Sequence, residues 1–322
     1  MARMLRMLRA AVQDTTLPES DIMSKKNKAS AVKADTSPAA QKHEIREGQS
    51  EELLKELHIL TRDGKLNQDS RRKLKQVYHL YQFIEPLLKN LSEGDRAVSL
   101  VDHGAGKSYL GFILYDLFFK NQPALKDSRI YGIETRAELV QKSTELAQRL
   151  GFPGMEFLHL SVADSVTSDK LPETVDIVTA LHACDTATDD AIEFALRKKA
   201  RYMVLVPCCQ AEVAAELRRT KSQAVKSNPL SELWRHPIHT REFGSQITNV
   251  LRCLQLESHG YQVTVTELVG WEHSMKNELI IAEYKGQPQK RAAARLHEIL
   301  ENTGLQALQP RFFVAQNAEA AS

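Results

Sequence analysis

Residues 97–110 read Ala-Val-Ser-Leu-Val-Asp-His-Gly-Ala-Gly-Lys-Ser-Tyr-Leu, and this stretch decides the fold. The apolar run predicts a buried strand over Ala97 to Asp102. A turn follows through His103, Gly104, Ala105, Gly106 and Lys107, and a helix is expected from Ser108 to Phe119. Glycines let the backbone turn sharply and approach a ligand closely. The helix start adds free N–H groups and the positive end of a dipole. Gly106-Lys107-Ser108 copies the ending of a phosphate loop, GxxxxGK[ST]. The first glycine of that motif would fall on Val101, inside the strand, so the phosphate-loop reading fails. The dinucleotide fingerprint G-x-G-x-x-G needs a third glycine where Tyr109 stands, and Gly111 is out of register. An acid-x-Gly-x-Gly loop on Asp102, Gly104 and Gly106 remains, beside the plainer reading of a tight structural turn.

The pattern on either side supplies the architecture. Further strands are predicted at Arg129 to Glu134, Met155 to Leu160, Val175 to Leu181 and Tyr202 to Val206. Helices are predicted between them at Glu138 to Leu150 and about Thr188 to Lys198, and another starts near Gln210. Strand-helix alternation of this kind implies an α/β fold with a parallel, doubly wound sheet. A helical stretch at about 241–258 then precedes strands at Gln262 to Leu268 and Glu278 to Tyr284. Two late strands with no helix between them predict an antiparallel edge pair, making a mostly parallel sheet of seven strands. One amphipathic helix, Arg291 to Leu300, is expected in the tail.

Ahead of the sheet, Ser50 is a candidate N-cap for a helix carrying Leu53, Leu54, Leu57 and Leu60. A second helix is predicted over Gln68 to Leu91, with Leu74, Val77, Tyr78, Tyr81, Ile84, Leu88 and Leu91 on one stripe and Pro86 as a possible kink. The division expected is a polar, disordered tail over 1–48, a helical extension over 49–94, the main domain over 95–286, and a terminal helix and tail over 287–322. The start, Met1 to Val12, is Arg-rich and lacks the features of a secretory signal. A transit peptide is one alternative, and Met23 as the true start is the preferred one.

Of the 322 residues, 42% are hydrophobic and 26% charged, which is an ordinary globular composition. The net charge of +2 says nothing about partners by itself. Basic clusters at Arg3, Arg6 and Arg9, at Lys25, Lys26 and Lys28, and at Arg71, Arg72, Lys73 and Lys75 suit nucleic acid or a solvated surface equally. The four cysteines, at 184, 208, 209 and 253, form no CxxC pair and no disulfide framework, so a reducing cytoplasm is expected. No apolar run approaches the roughly 20 residues of a membrane span.

Chemistry-bearing residues collect at the predicted strand ends. Glu134 closes the second strand, where a carboxylate can accept from both hydroxyls of a ribose. Asp164 follows the third strand, in reach of an adenine amino group. Each acid alone also fits a solvated loop or a helix cap, but with Asp102 they form three acids at three successive strand ends, lining one crevice. The fourth strand runs into Leu181-His182-Ala183-Cys184-Asp185, and the fifth into Val206-Pro207-Cys208-Cys209-Gln210.

These residues carry a family resemblance over about 95–285. "DHGAGKSYL" from Asp102 resembles the D-x-G-x-G-K-G-Y-L motif of a Rossmann-like methyltransferase family, and "LHACDTATDDAI" with "VPCCQ" resembles its matching loops. The stretch is also similar to the methyltransferase-like domain of glutathione S-transferase C-terminal domain-containing protein. More distantly it is similar to tRNA ribose 2'-O-methyltransferases. The resemblance implies S-adenosyl-L-methionine as cofactor, with Asp102, Gly104, Gly106 and Lys107 at its methionine end, Glu134 on the ribose, Asp164 on the adenine and Leu181 alongside. The loops bearing His182, Cys184, Asp185 and Cys208 would shape the acceptor pocket, with His182 or Asp185 as base for a hydroxyl acceptor.

Two residues depart from the family pattern: Ser108 stands at a usual third glycine, and Asp185 at the usual glycine after the cysteine. "PCCQ" also lacks the two histidines of the tRNA enzymes. RNA is the acceptor expected, protein or a small molecule being alternatives, and nothing points to DNA. Other readings stay open. One is an inactive adaptor that keeps the fold. Another is zinc on His182 and the cysteines, for which adjacent cysteines are poor spacing, so no metal is assigned. A third is a cysteine nucleophile partnered by His182.

Overall fold

The structure is a computed structural model that describes residues 45–181, 185–207, 210–227, 229–268 and 278–313. Its centre is a seven-stranded sheet. The strands are β1 (Ser99–His103), β2 (Arg129–Glu134), β3 (Met155–His159), β4 (Ile177–Leu181), β5 (Tyr202–Val206), β6 (Tyr261–Glu267) and β7 (Glu278–Tyr284). Their order is β3-β2-β1-β4-β5-β7-β6. The first five are parallel, with Asp102 level with Gly132 on one side and Thr179 on the other. β7 is antiparallel to both β5 and β6, so the late pair forms the expected antiparallel edge. The chain leaves β1 toward β2 and returns on its other side as β4. Their carboxyl ends therefore bound the switch-point crevice where such sheets bind ligands.

Residue type explains the layering. Every residue of β5 is buried, as suits a strand covered on both faces, whereas β6 at the edge exposes most of its length. Leu100 and Val101 alternate across the pleat and enter different cores. On one face Leu100, Ile130 and Val204 pack with the helices α1 (Glu51–Glu56), α2 (Gln68–Leu91) and α3 (Tyr109–Leu114). On the other, Val101, Ile133, Val178 and Met203 pack with α6 (Thr186–Arg197). A third cluster joins α7 (Glu212–Ser227), α8 (Pro237–Ser258) and α9 (Lys290–Thr303) through Leu217, Trp234, Leu251 and Leu296. Phe312 of α10 (Gln309–Phe312) completes it.

Local differences from the sequence expectation have local causes. Ser50 caps α1 by accepting from the Leu53 N–H at 3.2 Å, but the helix ends at Glu56 because His58 turns to φ 54°; Leu57 and Leu60 are buried beyond it. α2 runs through Pro86 without a break. α3 does not continue to Phe119 as an α-helix, since Tyr115–Phe119 is a π turn. There the buried Asp116 accepts from Ser50 N–H at 2.9 Å and from Lys120 Nζ at 2.7 Å. A short helix not foreseen, α5 (Val162–Thr167), follows β3 and is capped by Ser161. α4 (Ala137–Arg149) and the other helices lie within a few residues of expectation. Arg46 and Gly48, in the stretch read as a tail, are bonded to Tyr78 Oη and Lys120 Nζ at 3.2 and 3.0 Å.

Candidate functional site

The loop between β1 and α3 turns on three left-handed residues: Gly104 at φ 66°, Gly106 at φ 58° and Ser108 at φ 49°. Ser108 thus adopts a left-handed conformation that glycine ordinarily supplies. It is fully buried, and its hydroxyl donates to Asp102 Oδ2 at 3.3 Å. Thr179 of β4 donates to Oδ1 at 2.8 Å. Asp102 is buried beneath the loop, and desolvation pushes its carboxyl up to about 6 against the pull of these two hydroxyls. Its neighbour His103 is also buried and pushed down to about 4, again by desolvation. The His103 ring lies 5.4 Å from that of Phe194, and its Nε2 has no hydrogen-bond partner among the described residues. Lys107 is exposed at the rim.

Glu134 stands at the end of β2, beside this loop. Gly106 N–H donates to its Oε2 at 2.8 Å, tying the glycine turn to the neighbouring strand. Arg136 donates to Oε1 from its backbone N–H and Nε, both at 3.0 Å, and to Oε2 from Nη2 at 3.1 Å. Burial pulls the carboxyl up, but Arg136 and the Gly106 N–H together outweigh it and leave Glu134 below the usual range. Arg136 went unnoticed in the sequence, being an ordinary polar residue two positions past a strand end. Asp164 is exposed in the first turn of α5. It accepts from Ser161 Oγ at 2.6 Å while its N–H donates back at 3.2 Å. The strands ahead of Asp164 and Glu134 are adjacent, as are those of Glu134 and Asp102, so the three acids occupy neighbouring positions along one sheet edge.

Of the acceptor-side residues, His182, Cys184 and Cys208 lie outside the described residues. Leu181 is half-buried at the end of β4. Asp185 has φ 52° and ψ −122°, and its Oδ1 accepts from Ala211 and Glu212 N–H at 2.8 and 3.1 Å, at the start of α7. Beneath it is a buried polar network that sequence reading missed. Arg252 of α8, with no exposed surface, pairs with both Asp189 oxygens at 2.7 Å and donates to the Asp185 carbonyl at 2.9 Å. The faint signal was an arginine within the apolar run Val250 to Leu254. Among the described residues no group of three His, Cys, Asp or Glu side chains is placed to hold a metal.

Residues 72–216 match the family described as "Methyltransferase domain". Over 247 residues, 69% of the chain, the sequence is 22% identical to the glutathione S-transferase C-terminal domain-containing protein of Bos taurus; its Mus musculus counterpart is 22% identical over 240 residues. The chain spans about a third of the length of these curated relatives, 35% in each case. Among solved structures, an rRNA methylase from Streptococcus thermophilus is similar at 13% identity and TM-score 0.35, over 59% of this chain and 87% of its own. Magnesium protoporphyrin IX methyltransferase from Synechocystis PCC 6803 is similar at 13% identity and TM-score 0.37, over 73% of this chain and 93% of its own. The family match starts inside α2, ends inside α7 and takes in β1 to β5. The glycine loop, the Glu134 strand end and the loops after β4 and β5 therefore fall within the one segment that matches the methyltransferase-domain family.

Proposed function

We propose that this chain transfers a methyl group from S-adenosylmethionine to RNA. One observation carries the donor half: the N–H of left-handed Gly106 sits 2.8 Å from a carboxylate at the neighbouring strand end. We assign this cradle to a nucleoside. A Cβ on Gly106 would make only ordinary contact, 4.0 Å from Glu134 Oε2 and 3.9 Å from Arg136 Nη2, so the glycine serves the left-handed φ of 58° that turns its N–H toward the carboxylate. Asp102 with the Gly104 to Lys107 backbone would hold the methionine end, Glu134 the ribose and Asp164 the adenine, with Leu181 alongside.

The bound cofactor supplies an electrophilic methyl group for in-line displacement. The chain's own task is to orient the acceptor against it and exclude water. We assign the acceptor side to the loops carrying His182, Cys184, Asp185 and Cys208, with His182 as our candidate for taking the proton of a hydroxyl acceptor. Neither departure from the family pattern speaks for an inactive adaptor. Ser108 and Asp185 both hold the positive φ that glycine would supply.

For RNA, support comes from the similarity of the two loops to those of tRNA ribose methyltransferases. Arg72, Lys73 and Lys75, exposed on the first turns of α2, add to it. We place the reaction in the cytoplasm on cysteine usage; among the described residues no helix is long and apolar enough to cross a membrane.

Calorimetry with S-adenosylhomocysteine tests the donor side. We expect binding by the wild type and a loss of about tenfold or more on Glu134→Ala, as for one charge-assisted contact. Silence from the wild type, or unchanged affinity in the variant, would overturn it. Incubation with methyl-labelled cofactor and total RNA or lysate tests the acceptor. Label in RNA, with affinity falling steeply with salt, is the expected result; label in protein alone would remove RNA.

A further inference from the structure

We propose that Asp185 is a positioning residue: clamped by Arg252, it fixes the loop after β4 to the loop after β5 and so sets the shape of the acceptor pocket. The inference rests on the acceptor-side reading above, but its geometry is independent of any cofactor.

The backbone at Asp185 is unusual. It precedes α6 as its N-cap residue, a position that ordinarily has extended dihedrals. Instead φ 52° and ψ −122° match the first central position of a type II' turn, which glycine dominates. A non-glycine residue persists there only when its surroundings over-determine it. Two sets of contacts do so. The side chain does not cap its own helix. It reaches across to the start of α7, where Oδ1 accepts from Ala211 and Glu212 N–H at 2.8 and 3.1 Å. An anion at that helix start is favoured by the free N–H groups and the dipole. Meanwhile the Asp185 carbonyl accepts from Arg252 Nη2 at 2.9 Å.

Arg252 is the hub of the clamp. Its Nε and Nη2 hold Asp189, one turn into α6, at 2.7 Å each. Its Nη1 donates to Asn249 Oδ1 at 3.1 Å, and the same oxygen accepts from Gln210 Nε2 at 3.2 Å. Gln210 ends the VPCCQ loop and is itself buried, with Oε1 accepting from Ser245 Oγ at 2.5 Å. Asn249 Nδ2 donates to Glu278 Oε2 at 2.7 Å, at the start of β7. One buried arginine and its partners on α8 therefore anchor described residues bordering the 182–184, 208–209 and 269–277 stretches. A network of this kind is worth most when every member is satisfied, and removing one partner leaves a buried charge exposed to its full desolvation cost.

This assigns the carboxylate of Asp185 to geometry and leaves proton transfer to another group. Asparagine separates the two roles, because its carbonyl oxygen can still accept from both N–H groups but cannot act as a base. Asp185→Asn, Asp185→Gly and Arg252→Lys are compared with the wild type by amide exchange of the cofactor-free protein, S-adenosylhomocysteine affinity, and methyl-transfer kinetics with total RNA as the acceptor. Glycine relaxes the backbone but removes the tie. We expect Asp185→Gly to lose at least about tenfold of the exchange protection at Ala211 and Glu212. Its acceptor KM should rise about tenfold or more, with cofactor affinity within about twofold. Asp185→Asn should restore the protection and most of the KM. Arg252→Lys should resemble the glycine variant.

Unchanged protection in Asp185→Gly would overturn the proposal. So would Asp185→Asn losing about a hundredfold or more in kcat with protection intact, the signature of a missing base. A wild type that fails to bind S-adenosylhomocysteine refutes the donor reading, while the exchange comparison still decides the tie.

Discussion

Asp102 and His103 are neighbours in the chain, but the pleat sends their side chains to opposite faces, and burial moves their protons in opposite directions. Asp102, raised from 3.8 to about 6, gives stability that is complete below its unfolded value and lost as pH rises through about 6. His103, lowered from 6.5 to about 4, gives stability present above 6.5 and lost as pH falls through about 4. Between about pH 4 and 6, where both windows overlap, the two offset each other. Asp102→Asn keeps the shape and removes the buried charge. It should raise stability at pH 7 by about 1–3 kcal/mol, the upper end being the shift itself, while weakening S-adenosylhomocysteine binding. Thermal melts check the first part and calorimetry the second; a lower melting temperature would refute it. His103→Leu should unmask Asp102, so that the variant gains stability from pH 7 to pH 5 while the wild type stays nearly flat. The placement of Asp102 and Glu134 at strand ends was legible because acids closing apolar runs stand out. The burial of His103 was not, since nothing in the sequence says that a histidine at the end of a strand has no solvent.

At the scale of the element, the glycine loop and α3 are coupled by a steric detail. A Cβ on Gly111 would lie 2.5 Å from Ser108 Oγ, 3.3 Å from Ile130 Cγ2 and 3.5 Å from Met155 Cε. Gly111, which fell out of register for a dinucleotide motif, is thus needed to make room for the Ser108 hydroxyl three residues earlier. Gly111→Ala should cost about 1–3 kcal/mol by overpacking and loss of the Ser108 bond to Asp102. Ser108→Gly should be nearly neutral, relief of the left-handed backbone offsetting the lost bond. In that background Gly111→Ala should cost at least about 1 kcal/mol less. A double-mutant cycle by chemical denaturation measures this coupling, and additive effects would refute it. The order of elements was readable because apolar runs alternate with amphipathic ones. The ends of α1 and α3 were not, because His58 and the Asp116 contacts with Ser50 and Lys120 decide them through tertiary structure.

For the whole molecule, the sequence suggested helices appended to a domain beginning at about 95, because the composition changes there. Packing links them more closely. Leu53, Leu54, Ile84 and Leu88 have no exposed surface and share one core with Leu100, Phe112, Ile130 and Ile177 of the sheet layer. Asp116 and Lys120 hold Ser50 and Gly48, and the family match itself begins at residue 72, inside α2. Periodicity predicts that a helix has a buried face but is silent on what covers that face, so the partner of this stripe was not legible. We propose that α1 and α2 are the lid of the sheet's first core. Each buried leucine or isoleucine removed would uncover roughly 1.5–3 kcal/mol of apolar contact, which summed over both helices matches or exceeds the net stability of a domain. A chain starting at residue 95 should therefore show no cooperative melt and should bind a hydrophobic dye. One starting at residue 45 should melt within a few degrees of the full chain, since the contacts from Ile45 onward are retained. Calorimetric scans of the two truncations decide the matter. A cooperative transition from the shorter chain would show that the helices are an appendage, as composition alone suggests.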